Sequence, residues 1–183
     1  MYSRARSVSA VFRVRWLEAL GLMTAAVAVP FLVHVMPWSG PKPAGVSLMP
    51  VFWTAFVAVF LETTLTALLV ALATSVGNML ITGHPAVDWL GSMNLELLAY
   101  VLVAAFLVRR WPRFWGAAPL AYLPAKALVI GLQWMIPAMH ETRPPLEHFV
   151  TAVTNGRLGL AVLLVINLVL VRLAAPSADW DSD

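Results

Sequence analysis

Long apolar runs separated by short polar or Pro/Gly-rich breaks dominate the chain. A helix crossing the ~30 Å hydrocarbon core of a bilayer needs about 20 mainly apolar residues, and the pattern predicts six such segments. The first covers about residues 16–35 and stops at Pro37-Trp38-Ser39-Gly40-Pro41-Lys42-Pro43, which is too rich in proline and glycine to continue a helix. Residues 48–81 are apolar for too long to be one span. Their polar break, Glu62-Thr63-Thr64, divides them into a short second helix over about 48–61 and a third over about 63–81. The fourth helix covers about 89–108, the fifth about 114–136 and the sixth about 149–173, with an acidic tail over 174–183. The expected fold is all-α: an integral membrane six-helix bundle making a single domain over 1–183.

Composition agrees with that class. The 183 residues are 61% hydrophobic and 11% charged, whereas a soluble domain is about half apolar and a quarter charged. The chain has no cysteine, which excludes disulfide and thiolate chemistry. A net charge of +3 suggests a nucleic-acid partner only until the charges are placed. Most of them flank apolar runs, which makes them a topology signal, and no nucleic acid is expected. With the N-terminus inside, Arg4, Arg6, Arg13, Arg15, Arg109, Arg110, Arg113 and Arg172 share the cytoplasmic side, and both termini are cytoplasmic. Merging the second and third segments would put the arginine clusters on opposite sides. The first apolar run exceeds the h-region of a cleaved signal and is read as a retained helix.

This orientation puts His34, His84, His140 and His148 on the outer side, with Asp88, Glu141, Arg143, Glu147, Asn155 and Arg157. Asn78, Asn94 and Glu96 follow one or two turns beneath. Solvated loops and an outward-opening pocket both account for this gathering. Glu96 and Lys126 are more informative, because an ionised group at the bilayer centre costs about 2.5–3.5 kcal/mol even on insertion scales. Met93, Glu96 and Tyr100 share one face of the fourth helix, and Lys126, Gln133 and Trp134 come near one face of the fifth. Three readings stand: a structural ion pair, a joint site for a zwitterionic or polar ligand, and snorkelling at the lipid edge. Most tryptophans fall where interfacial aromatic belts are expected; Trp38, in the first loop, and Trp134 are candidates for stacking on a flat ligand. Gly21, Ala25 and Ala28 give the first helix a small-residue surface that another helix can approach closely.

These features together resemble the substrate-binding S components of energy-coupling-factor (ECF) vitamin transporters. Pro30 to His34 ends the first helix, a Pro/Gly loop follows, and Leu48-Met49-Pro50 starts the second. Leu80-Ile81-Thr82-Gly83-His84-Pro85 is similar to the family's "LTGMP" turn, and Met93 to Tyr100 (MNLELLAY) to its "M..EL..YG" helix. Lys126 stands where the family has a Gly-Arg pair, and Thr154-Asn155-Gly156-Arg157-Leu158-Gly159 is like its "TG.PG" opening of the sixth helix. The resemblance implies a multi-pass protein of the bacterial cytoplasmic (inner) membrane that captures a vitamin-like molecule from outside. It would dock on a transmembrane coupling subunit driven by two cytoplasmic ABC ATPases. By position it nominates Trp38, His84, Asn94, Glu96, Tyr100, Lys126, Gln133, Asn155 and Arg157 for the substrate, and Gly21, Ala25 and Ala28 for the coupling partner. The chain departs from the family at Leu61-Glu62-Thr63, where a Gly-Pro turn is usual, and at Lys126 itself.

Two other functions stay open: metal or haem capture by His34, His84, His140 and His148, and a ligand-free membrane scaffold. Imidazole suits several transition metals, but the sequence has no HxH or HxxxH spacing. No nucleophile–base pair, nucleotide loop or metal-hydrolase motif is present, so no enzyme, catalytic residue or cofactor is expected.

Overall fold

In a computed structural model of the chain, residues 16–136 and 144–174 are described, and among them all regular structure is helical. Five stretches are long and apolar enough to cross a membrane: Leu17–Val35, Ala44–Leu61, Thr64–Thr82, Val87–Arg110 and Arg157–Ala174. That content is compatible with a multi-pass membrane protein. The arginines at positions 4, 6, 13 and 15, His140, Glu141, Arg143 and the acidic tail beyond Ala174 lie outside the described residues.

Helix α1 (Trp16–Val35) contains Pro30, which has no N–H to give to the carbonyl one turn back, that of Ala26. Asn78 of α4 (Thr64–Thr82) supplies the missing donor: its Nδ2 lies 3.4 Å from Ala26 O and 2.6 Å from Thr74 O. A polar residue inside an apolar helix thus repairs its neighbour's backbone, as lipid demands. The second apolar run begins earlier than the pattern predicts and is broken once. It forms α2 (Ala44–Leu48) and α3 (Pro50–Leu61), joined at Met49, which adopts the left-handed conformation (φ 54°). Pro50 forces the break, because its ring cannot continue α2 but suits the first position of α3.

Thr63 caps α4, accepting from Thr66 N at 3.2 Å, and so fulfils the expected division at Glu62-Thr63-Thr64. Gly83, at φ 72°, closes the other end in a conformation that favours glycine. Helices α5 (Val87–Arg110) and α6 (Ala117–Met135) follow. α6 has 19 residues, but Pro119, Pro124, Lys126 and Gln133 keep it short of the apolarity that the five spans reach. The expected sixth helix is two, α7 (Pro145–Asn155) and α8 (Arg157–Ala174), interrupted at Gly156. The 11 residues of α7 are too few to span.

α3 lies at the centre, packed on α1, α4, α5 and α8, while α6 joins α5 to α8. Accordingly 56% of Ala44–Leu61 is buried against 22% of α1 and 17% of α8, the least buried of the five spans. The core gathers Phe52, Ala55, Phe56 and Val59 of α3 against Val70 of α4, Leu97, Tyr100 and Val101 of α5, Ala121 of α6 and Leu163 of α8.

Among the glycines, the closest approach to backbone is at Gly159, where a Cβ would lie 2.5 Å from Leu48 O. That neighbour is backbone at the α2–α3 break and cannot rotate away. Gly159→Ala is expected to cost about 1–3 kcal/mol, lowering the thermal midpoint in detergent by about 3–10 °C. Gly91→Ala, where a Cβ meets nothing within 4 Å, should leave the midpoint unchanged or raise it slightly.

Candidate functional site

Antiparallel packing brings the first half of α5 against the second half of α6, and polar residues spaced one to three turns apart meet in pairs. Lys126 Nζ donates to Glu96 Oε2 at 2.8 Å, an ion pair whose side chains are 16% and 11% exposed. Beside it, Gln133 Nε2 donates to Ser92 Oγ at 3.2 Å. These four residues line a cavity of about 380 Å3 between α5, α6, α7 and the α2–α3 junction. Phe52, Trp89, Met93 and Tyr122 give it apolar walls, and His148 and Asn155 of α7 close a further side.

Two properties suit this cavity to a small polar molecule. Its charged groups cancel, so a ligand of no net charge meets no uncompensated field. Gln133 is buried, and its Oε1 has no hydrogen-bond partner among the described residues. An orphan acceptor of this kind costs about 1–3 kcal/mol, which an N–H donor on a bound molecule would relieve.

Of the residues nominated from the sequence, the cavity brings together Glu96, Lys126, Gln133 and Asn155. The others are placed elsewhere, each for a visible reason. Asn94 accepts from Ser75 Oγ and binds α5 to α4. Tyr100 is fully buried in the core, edge-on to Phe52 at 5.0 Å between ring centroids. Arg157 is exposed at the first turn of α8. Trp38 folds back on its own loop, donating to Lys42 O at 2.7 Å, and lines a separate open recess. Trp134 is 63% exposed, facing away from the site.

His84 lies in the α4–α5 turn and lines a neighbouring cavity of about 370 Å3 with His34, Asn78 and Thr82. The two cavities share a wall that includes Val46, Val51, Pro85 and Met93. The His34 and His84 rings are 5.4 Å apart between centroids, His148 belongs to the first cavity, and His140 lies outside the described residues. Among the described residues no three His, Cys, Asp or Glu side chains are grouped to hold a metal ion.

Sequence reasoning missed Phe52, Trp89, Ser92 and Tyr122, and offered His148 only as an alternative metal ligand. Helical spacing carried a signal for three of them: Ser92 and Trp89 lie one and two turns before Glu96, and Tyr122 lies one turn before Lys126. Phe52 and His148 reach the site from other elements and left no such trace. On the proposed partner surface, Gly21 and Ala28 of α1 are exposed and Ala25 half-buried, with Leu17 and Leu20 standing out beside them.

Comparison of the chain with protein-family models, with curated proteins and with solved structures gives no match.

Removing one member of a buried ion pair strands the other charge, at about 3–5 kcal/mol, while removing both is far milder. Glu96→Gln and Lys126→Met should therefore each lower the thermal midpoint more than the double variant does. Additive effects in this double-mutant cycle would show that the two charges are not coupled.

Proposed function

We propose that the chain is the substrate-capture subunit of an ECF-type uptake transporter. On this reading it sits in the bacterial cytoplasmic membrane with both termini inside and α6 as its sixth membrane helix. It binds a vitamin-like small organic molecule, neutral or zwitterionic and bearing an N–H donor. The ligand enters the Glu96–Lys126 cavity from outside and is passed through a transmembrane coupling subunit driven by two cytoplasmic ABC ATPases.

One observation carries the proposal: a charge-balanced cavity with aromatic walls in which a buried amide oxygen waits for a donor. Few, well-placed polar groups among apolar ones are what a small-molecule site requires. The order of motifs along the chain supports the family, and the small-residue strip of α1, exposed at Gly21 and Ala28 and half-buried at Ala25, supports a helical partner there.

Native mass spectrometry of the purified full-length protein should reveal a co-purified small molecule. Glu96→Gln, Lys126→Met and Gln133→Leu should each reduce its occupancy at least about tenfold, an amount matching one lost buried hydrogen bond. Arg157→Gln and Trp38→Ala should leave it unchanged. Normal occupancy in both Glu96→Gln and Lys126→Met would refute the site.

A further inference from the structure

The opposite end of α5 carries a larger feature that the capture site does not use. An open groove of about 760 Å3 lies at the α5–α6 turn, lined by Arg110, Trp111, Pro112, Arg113, Phe114 and Leu120. Fourteen residues separate Arg110 from Glu96 on one helix, which at 1.5 Å per residue is about 21 Å. The groove is therefore independent of the outer cavity.

Its chemistry is divided in two. Two guanidinium groups and no carboxylate line it, while Phe114 and Leu120 make an apolar floor. Arg109 does not contribute, because its Nη2 donates to Thr64 Oγ1 at the start of α4. Arg110 rests over the Trp111 ring, its guanidinium carbon 5.7 Å from the centroid. The turn is fixed from below by Asn167 of α8, fully buried, which accepts from Ala118 N at 2.8 Å and donates to Phe114 O at 3.2 Å. The surface that continues from the groove along α5 and α6 is apolar and exposed at Phe106 and Leu120.

A ligand matching this groove has an anionic head and a long apolar stem, and reaches it at the end of a membrane-crossing helix. We propose that the groove binds one anionic phospholipid, its phosphodiester between Arg110 and Arg113 and an acyl chain along Phe114 and Leu120. Basic pockets beside membrane helices recognise lipid head groups in this way. A free phosphate ion would use only the charged half, and an acidic protein surface would leave the apolar floor uncovered.

The full-length protein in detergent, titrated with phosphatidylglycerol or phosphatidylcholine of matched chains, tests this by native mass spectrometry. One phosphatidylglycerol should be retained with about tenfold preference over phosphatidylcholine. The Arg110→Gln/Arg113→Gln variant should lose the preference, and the charge-conserving Arg110→Lys/Arg113→Lys variant should keep most of it. Inorganic phosphate at equal concentration should not displace the lipid. Equal retention of the two lipids by the native protein, or an undiminished preference in the glutamine variant, would overturn the proposal. Displacement by inorganic phosphate would also overturn it, reducing the groove to a simple anion site. An unchanged thermal midpoint in the glutamine variant is expected, since both arginines are exposed.

Discussion

The contact between the Glu96 carboxylate and the Lys126 ammonium sets the register of two helices and the place of the cavity between them. Each charge alone is prohibitively placed in an apolar helix, so α5 and α6 must pack with these two residues at one level. That level in turn sets Ser92 opposite Gln133 and fixes where the cavity opens between α5, α6 and α7. A sliding of either helix by one turn would separate both pairs. Register, site and stability are thus tied to a single ionic contact.

The same logic governs the backbone. At Pro30, at the α5–α6 turn and at the α2–α3 break, a polar side chain or a close approach meets the interrupted backbone. Asn78 answers Pro30, Asn167 holds both sides of the α5–α6 turn, and Thr74 and Thr82 return their hydroxyls to carbonyls within α4. These residues look like candidate ligands in a sequence, since amides within apolar runs are costly. Most of them serve the chain itself.

This explains what the sequence could and could not disclose. The long helices were legible, because apolar length is a one-dimensional signal, and the break at Thr63 was marked by its own capping chemistry; the short α2 and the separate α7 were not. Burial cost marked Glu96 and Lys126 as residues in need of a partner, but left a mutual ion pair, a joint ligand site and snorkelling all open. The break at Met49 was missed although Pro50 imposes it locally, and the break at Gly156 falls where α8 meets the α2–α3 junction. Asn94, Tyr100 and Arg157 were nominated by their positions in the resembling motifs, and position along a helix does not say which neighbour a side chain meets. Asn94 turns to α4, and Tyr100 to the core beneath Phe52. Centrality was hidden too. The long α5 carries the richest chemistry, yet the short α3 is what the bundle is wrapped around.

The partition between the two neighbouring cavities has a consequence for selectivity. Part of their common boundary is Met93, an unbranched thioether with three rotatable bonds that adapts cheaply to new surroundings. Room for a bulkier guest can therefore come from the swing of one flexible side chain, with every helix left in place. Changing Met93 to a stiff β-branched residue would fix the size of that space without touching Ser92, Glu96, Lys126 or Gln133.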